Sequence, residues 1–127
     1  MGETMRKRVL IVDDEEILRT SLMQFLEDFA YEVEGADSGA RALAMLADGA
    51  QFDVAVVDVR MPGMSGEDFI LRAHAIHPGL KFIIQTGTLD YEIGADLQLI
   101  GMGPENLLKK PVLKLDMYVD AVEKVTG

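Results

Sequence analysis

The sequence predicts an α/β fold built on a parallel five-stranded sheet, because short apolar runs alternate along the chain with segments of helical period. The predicted strands are residues 9–12, 31–35, 52–57, 81–85 and 106–109. The first, third and fourth runs are largely apolar, which suits strands covered by helices on both faces. Five such units in 127 residues fit the flavodoxin-like doubly wound sheet with strand order 2-1-3-4-5.

The helices between these strands are predicted from apolar residues that recur every three or four positions. These residues are Leu18, Leu22, Phe25 and Phe29 in the first helix, Ala40, Leu43, Leu46 and Ala47 in the second, Phe69, Ala73 and Ile76 in the third, and Leu115, Val119 and Val122 in the last. Ser38 and Ser65 directly precede the second and third segments. Both are residues that favour the N-cap position, so we expect these helices to begin there.

The fourth helix is the least regular element. Ile93, Leu97 and Ile100 keep a helical spacing, but three glycines and Pro104 lie among and after them. An interior glycine costs a helix roughly 1 kcal/mol relative to alanine. We therefore expect a short or mobile helix here.

Composition narrows the function classes. The chain has a net charge of -10 and no cysteine, so direct nucleic-acid binding, charge-driven membrane binding and thiolate chemistry are all disfavoured. The apolar run after the basic N-terminus is too short for a signal peptide or a membrane span. We expect one soluble, cytoplasmic domain over residues 1–127, with a flexible N-terminal extension over 1–6.

Acidic residues and one lysine follow the predicted strands. Asp13 and Asp14 follow the first strand, Asp58 follows the third, and Lys110 follows the fifth. In the predicted strand order the first and third strands are neighbours, and ligands bind at the crevice between their carboxyl ends. Three carboxylates at this edge repel one another unless a cation lies among them. The pattern therefore predicts a Mg²⁺ site beside an aspartate that can be phosphorylated.

The residue types suggest a division of roles at this site. Asp14 and Asp58 suit direct Mg²⁺ ligation, with Asp13 acting through water. The Asp58 carboxylate suits the nucleophile of aspartyl-phosphate chemistry. Lys110 supplies positive charge near the phosphoryl oxygens, and the Thr86 hydroxyl can donate to one of them.

Four motifs together resemble the receiver domain of bacterial two-component response regulators. They are VLIVDDEE at residues 9–16, VVDVRMPGMSGE at 56–67, QTG at 85–87 and KKP at 109–111. The resemblance covers about residues 7–125. It implies that Asp58 accepts a phosphoryl group from a histidine kinase or a histidine phosphotransfer protein, and that phosphorylation controls a partner or an attached output domain. The resemblance further implies a phosphorylation-dependent dimer as one form of output.

The resemblance also implies individual roles. Asp14, Asp58 and the backbone carbonyl of Arg60 would bind Mg²⁺, with Asp13 in the outer shell. Thr86 and Lys110 would contact the phosphoryl group, and the peptide bond between residues 110 and 111 would be cis. The domain would be no enzyme in the usual sense, although it would assist its own phosphorylation and dephosphorylation.

Two features depart from the family pattern. Leu107 stands where many members have an aromatic residue whose rotation accompanies movement of the threonine. The segment between Thr86 and Gly103 is about two residues longer than usual in this family and is rich in glycine.

The resemblance also concerns Arg60 and Thr88, which occupy positions that tune the lifetime of the acyl phosphate in this family.

Three alternatives stay open at this point. A small haloacid-dehalogenase-like phosphotransferase also uses a strand-end aspartate, but it needs a second aspartate where this chain has Arg60. A receiver-like scaffold would bind partners without phosphorylation. The third alternative is purely structural and takes residues 13–16 as only the acidic first turn of a helix.

Two tyrosines, Tyr91 and Tyr118, are candidates for a partner surface.

Overall fold

The sheet of the computed structural model, which describes residues 6–88, 90–110 and 114–127, has five parallel strands. Their order is β2-β1-β3-β4-β5, which confirms the predicted fold. The strands are β1 Arg8–Val12, β2 Glu32–Ala36, β3 Val54–Asp58, β4 Lys81–Thr86 and β5 Leu107–Lys109. The helices are α1 Glu16–Asp28, α2 Gly39–Ala47, α3 Gly66–Ile76, α4 Ala95–Leu99 and α5 Asp116–Thr126, with a 3₁₀ turn at Pro104–Asn106.

Two apolar clusters lie on opposite faces of the sheet. Helices α2, α3 and α4 cover one face, and α1 and α5 cover the other. Successive side chains of a strand point to opposite faces. In β4, Ile84 accordingly packs in the first cluster and Ile83 in the second. This alternation decides where the polar residues at the end of β4 point.

Both predicted N-caps are confirmed. The Ser38 hydroxyl accepts a hydrogen bond from the Arg41 backbone N–H at 3.1 Å. The Ser65 hydroxyl accepts from the Asp68 backbone N–H at 3.1 Å. Each bond satisfies one of the backbone donors that the first turn of a helix leaves without a partner.

The predicted helix faces were wrong at their ends. Leu18 is 45% exposed, Phe29 49%, Ile76 43% and Leu115 46%. All four lie in or next to the first or last turn of a helix, where the sheet beneath no longer covers the side chain. Two smaller residues of α2, Ala40 and Ala47, are exposed as well. The larger buried residues of α1, α2, α3 and α5 are Leu22, Leu26, Ala42, Leu46, Phe69, Ile70, Ala73, Tyr118, Ala121 and Val122.

The fourth helix is short, as the glycines predicted. It spans five residues, Ala95–Leu99, and only Leu97 within it is buried. Ile93, in the irregular segment before it, also enters the core. No helix in the described parts of the chain combines the length and the apolar character that crossing a membrane requires.

Candidate functional site

Three carboxylates converge where β1 and β3 end. The two strands are neighbours in register, with Val12 beside Val57, so Asp13 and Asp58 follow on adjacent positions. One carboxylate oxygen from each of Asp13, Asp14 and Asp58 lies within 4.8 Å of the others. Asp13 and Asp58 are buried, whereas Asp14 is exposed. The convergence predicted from the sequence is therefore observed.

Lys110 points at the same cluster. Its Nζ lies 3.6 Å from Asp58 Oδ2 and 3.8 Å from Asp13 Oδ2. Its backbone N–H donates to the Thr86 carbonyl at 2.6 Å, which fixes the end of β5 against the end of β4. Residue 111, and with it the cis peptide that we expected between residues 110 and 111, lies outside the described residues.

The surroundings of the Asp58 carboxyl shift its pKa in both directions. Its pKa is raised above the ordinary value, chiefly by burial and further by the charges of Asp13 and Asp14. Lys110 and a backbone hydrogen bond from Arg60 act in the opposite direction and lower this pKa. A nucleophilic carboxylate must be ionised, so further positive charge at this position would favour the reactive form.

Asp13 differs from Asp58 because both of its oxygens already accept protein donors. Oδ1 accepts from the Glu15 backbone N–H at 2.9 Å. Oδ2 accepts from Gln85 Nε2 at 3.1 Å and faces Lys110. These bonds fix the orientation of the carboxylate, which suits a residue that acts on a metal through water more than one that ligates it directly.

The cluster has the chemistry that Mg²⁺ prefers. The donors are carboxylate oxygens, which suit a hard divalent cation, and one or two of them normally combine with waters and a phosphate oxygen. Three converging carboxylates with a single lysine also leave an excess of negative charge. The residues present therefore fit the metal that the family resemblance implies.

Thr86 and Arg60 both lie near the end of the Asp58 strand, Thr86 on the neighbouring strand β4 and Arg60 two residues after Asp58. Thr86 is the last residue of β4 and is 2% exposed, and its hydroxyl accepts a hydrogen bond from the Thr88 backbone N–H at 3.1 Å. Arg60 lines a cleft of about 620 Å³ with Thr88 and Tyr91. Arg60 and Thr88, the two positions that tune the lifetime of the acyl phosphate in the family that this sequence resembles, therefore line the same cleft.

The structure corrects the hypothesis of a partner surface for Tyr118 but not for Tyr91, which lines an open cleft. Tyr118 is 6% exposed, and its hydroxyl donates to Gln85 Oε1 at 2.6 Å. Tyr91 is half-buried, and its hydroxyl donates to Glu67 Oε2 at 2.7 Å. The Tyr118 hydroxyl thus has its polar partner in the interior, whereas the half-buried Tyr91 ring packs against the core and lines the cleft.

Gln85 is the site residue that sequence reasoning missed. The signal was available: a glutamine at the end of an apolar strand must find partners for both ends of its amide when it is buried. The strand order alone does not reveal those partners, since one directly follows β1 and the other lies on α5.

Comparison with known proteins identifies the family. The family model of the response regulator receiver domain matches residues 9–123. The chain is 30% identical over 122 residues to the chemotaxis protein CheY of Thermotoga maritima, covering 96% of this chain and 99% of the relative. It is also 34% identical over 104 residues to a cyclic di-GMP phosphodiesterase of the same organism.

That second match covers 82% of this chain but 27% of the phosphodiesterase, so the chain spans well under two thirds of the length of this relative. Among solved structures, the response regulator protein TrrA of Thermotoga maritima, in complex with Mg²⁺ and BeF, superposes with a TM-score of 0.80. It is 27% identical, and the match covers 94% of this chain and 98% of TrrA. The chain belongs to the response regulator receiver domain family of two-component signalling proteins.

Proposed function

We propose that this receiver domain is a phosphoacceptor module in which Asp58 takes a phosphoryl group from a phosphohistidine donor. The observation that carries the proposal is the placement of Asp58, which is buried at a strand end between Lys110 and two further carboxylates. Such an arrangement is costly for stability and has a use in charge-neutralised phosphoryl transfer.

The transfer step exchanges one bond for another. An oxygen of the Asp58 carboxylate attacks phosphorus, the phosphorus–nitrogen bond of the donor histidine breaks, and the departing imidazole nitrogen keeps the electron pair and takes up a proton. The product is an acyl phosphate on Asp58. Lys110 lies close enough to Asp58 to neutralise a phosphoryl oxygen that arrives there, and Thr86 would donate its hydroxyl to a second oxygen.

Four groups would hold Mg²⁺ in this reaction. Asp14, Asp58 and the backbone carbonyl of Arg60 would bind it directly, and Asp13 would act through water. The bound ion would supply the positive charge that offsets repulsion between the Asp58 carboxylate and the phosphoryl group. The exposed position of Asp14 and the protein donors that occupy Asp13 support this division.

The donor and the target complete the proposal. A histidine kinase or a histidine phosphotransfer protein would supply the phosphoryl group, and a conformational change would control an output domain or a separate protein, with a phosphorylation-dependent dimer as one form of output. The domain would assist its own phosphorylation and dephosphorylation without any further enzyme activity. A cytoplasmic location is part of this proposal and rests on the family resemblance alone.

Acetyl phosphate with Mg²⁺ tests the acceptor. We expect intact mass spectrometry to show one added phosphoryl group on the wild type and none on Asp58→Asn. Asp37→Asn is the matched control, because Asp37 also follows a strand end, that of β2, but lies outside the cluster. Its modification should equal that of the wild type.

A failure to be modified has a defined meaning only with a competent donor. If the wild type stays unmodified with acetyl phosphate and with phosphoramidate, under conditions that modify a second receiver, the phosphoacceptor proposal is wrong and the scaffold function takes its place. Leu107, half-buried on β5 without an aromatic ring, is the observation that favours the scaffold. Turnover of many phosphoester molecules per protein would instead indicate a phosphotransferase.

A further inference from the structure

A chain of three buried polar side chains connects α5 to the acidic cluster. The Tyr118 hydroxyl donates to Gln85 Oε1 at 2.6 Å, and Gln85 Nε2 donates to Asp13 Oδ2 at 3.1 Å. The three residues are 6%, 2% and 1% exposed, in that order. Water therefore has little access to these bonds, and breaking one of them leaves a buried group without a partner.

The pleat of β4 separates these three hydrogen-bonded side chains from Thr86, the threonine proposed to contact the phosphoryl group. Gln85 lies two positions after Ile83 and points to the face covered by α1 and α5. Thr86 points to the opposite face, as Ile84 does. Gln85 and Thr86 are consecutive residues of one strand that point to opposite faces of the sheet. Of these two, Gln85 is the one that contacts α5.

The direction of the hydrogen bonds in this chain is fixed by its ends. An ionised Asp13 carboxylate can only accept, so the amide nitrogen of Gln85 must face it and the amide oxygen must face Tyr118. Tyr118 must then donate its proton. Each hydrogen bond in such a series polarises the next. A change in the charge around Asp13 therefore alters the strength of the hydrogen bond that the Tyr118 hydroxyl donates.

The electrostatics of Tyr118 agree with this geometry. Burial chiefly, together with the negative charges of Asp13 and Asp58, raises the pKa of Tyr118 to about 12. The hydroxyl therefore keeps its proton at neutral pH and lies within the field of both site carboxylates. A divalent cation at the cluster would reduce that field.

We propose that Gln85 is a positioning residue for the Mg²⁺ and phosphoryl site, and that the Tyr118–Gln85–Asp13 chain transmits occupancy of this site to α5. The coupling runs on the face of the sheet opposite to Leu107, the position that lacks an aromatic ring. The proposal rests on the proposed function in one respect, namely that the acidic cluster binds Mg²⁺.

Titration with Mg²⁺ alone, followed by NMR, tests the positioning role. The side-chain amide of Gln85 should shift as Mg²⁺ is added to the wild type, together with backbone amides of residues 13–14 and 58–60. Gln85→Met keeps the length of the side chain and removes both hydrogen bonds. We expect it to weaken Mg²⁺ binding about tenfold, the usual size of an effect from a group that orients a ligand.

Tyr118→Phe tests the transmission, because it removes only the link to α5. We expect Mg²⁺ still to shift residues 13–14 and 58–60, with affinity within about threefold of the wild type, which is less than the roughly tenfold or greater loss from groups that bond a ligand directly. The Mg²⁺-dependent shifts in α5 should fall by at least half. Tyr91→Phe is the matched control, because its hydroxyl is bound to Glu67 outside this chain, and it should leave both sets of shifts unchanged.

The outcomes separate the two proposals. A wild type that binds no Mg²⁺ overturns both. A wild type that binds Mg²⁺, while Gln85→Met and Tyr118→Phe both leave affinity and α5 shifts as they were, overturns this inference alone. Should Gln85→Met fail to fold, the Gln85 amide signal of the wild type and the α5 shifts of Tyr118→Phe still decide.

Discussion

The pKa values of acidic residues are shifted in opposite directions at the two edges of the sheet. At the carboxyl edge, burial and neighbouring carboxylates raise the pKa of Asp58. Near the amino edge, Glu123 accepts hydrogen bonds from the Tyr31 hydroxyl at 2.6 Å and from Lys7 Nζ at 3.0 Å. These partners, Tyr31 foremost, lower the pKa of Glu123. One edge therefore favours the charged form of its acid, and the other opposes it.

Further contacts make the amino edge a set of satisfied pairs. The Arg8 backbone N–H donates to Asp53 Oδ2 at 2.8 Å. The Arg8 guanidinium pairs with Glu34 at 3.1 Å and lies over the Phe52 ring, 5.2 Å from its centre. The difference teaches where the molecule stores unfavourable electrostatics: at the edge that binds ligands, while the opposite edge holds the ends of the elements together.

Among variants that keep the Asp58 acceptor, Lys110→Met should slow phosphorylation the most. Removal of this cation leaves a phosphoryl group at Asp58 without its protein-borne positive charge, so we expect phosphorylation by acetyl phosphate to slow about 100-fold. Lys109→Met changes the net charge equally one residue earlier on β5 and should slow it less than about threefold on the same electrostatic argument. Rates come from intact mass at timed intervals. Equal slowing by both variants would mean that net charge, and not position, governs the reaction.

Gly66→Ala should disturb the carboxyl edge through packing. A Cβ at Gly66 would meet the carbonyl oxygen of Asp58 and a methyl group of Val57, and the Gly66 backbone N–H already donates to the Val59 carbonyl at 2.9 Å. We expect a loss of about 3 kcal/mol in the free energy of unfolding, measured with urea, since the backbone must shift.

Gly79→Ala is the matched control for that substitution. Its Cβ would meet nothing within 4 Å, so the free energy of unfolding should change by less than about 0.5 kcal/mol. If Gly66→Ala were equally neutral, the close approach of α3 to the acceptor strand would have no energetic weight.

The sequence predicted the strands and the acidic cluster well, because both follow from local patterns. Apolar runs place strands, and parallel strands bring their carboxyl ends to one edge, so Asp13, Asp58 and Lys110 had to meet. What the sequence did not reveal depends on packing in three dimensions. Gln85 bonds to residues 72 and 33 positions away, and a periodic pattern does not show how far the sheet covers the ends of a helix.

Asp58→Asn should stabilise the metal-free protein. The folded-state pKa of Asp58 is raised, so its ionisation costs more in the folded than in the unfolded chain. The contribution of Asp58 to wild-type stability is therefore most favourable below the ordinary pKa of this group and declines as pH rises through the raised value. At pH 7 with EDTA we expect Asp58→Asn to gain about 1 kcal/mol in unfolding free energy, and to gain less as pH falls towards 4.

Mg²⁺ provides the control for this gain. The wild type should recover the difference as Mg²⁺ is added, because ion binding to the folded state stabilises it, while Asp58→Asn has one carboxylate fewer for the ion. Urea unfolding at several Mg²⁺ concentrations measures both effects. A variant less stable than the wild type in EDTA at pH 7 would show that the Lys110 attraction outweighs burial at Asp58.

Glu123→Gln should show the smallest effect and the opposite pH dependence. Glutamine still accepts from Tyr31 but loses the charge that attracts Lys7, and the Glu123 side chain is 54% exposed, so the expected loss at pH 7 is about 0.5 kcal/mol. Since the folded-state pKa of Glu123 is lowered, its contribution is present above the ordinary pKa and is lost as pH falls. The loss should also shrink in 1 M NaCl, where the charges are screened. Glu27→Gln, on the exposed side of α1, is the matched control and should change stability less. The same pH slope in Glu123→Gln and Asp58→Asn would contradict the contrast between the two edges, because that contrast requires the slopes to differ in sign.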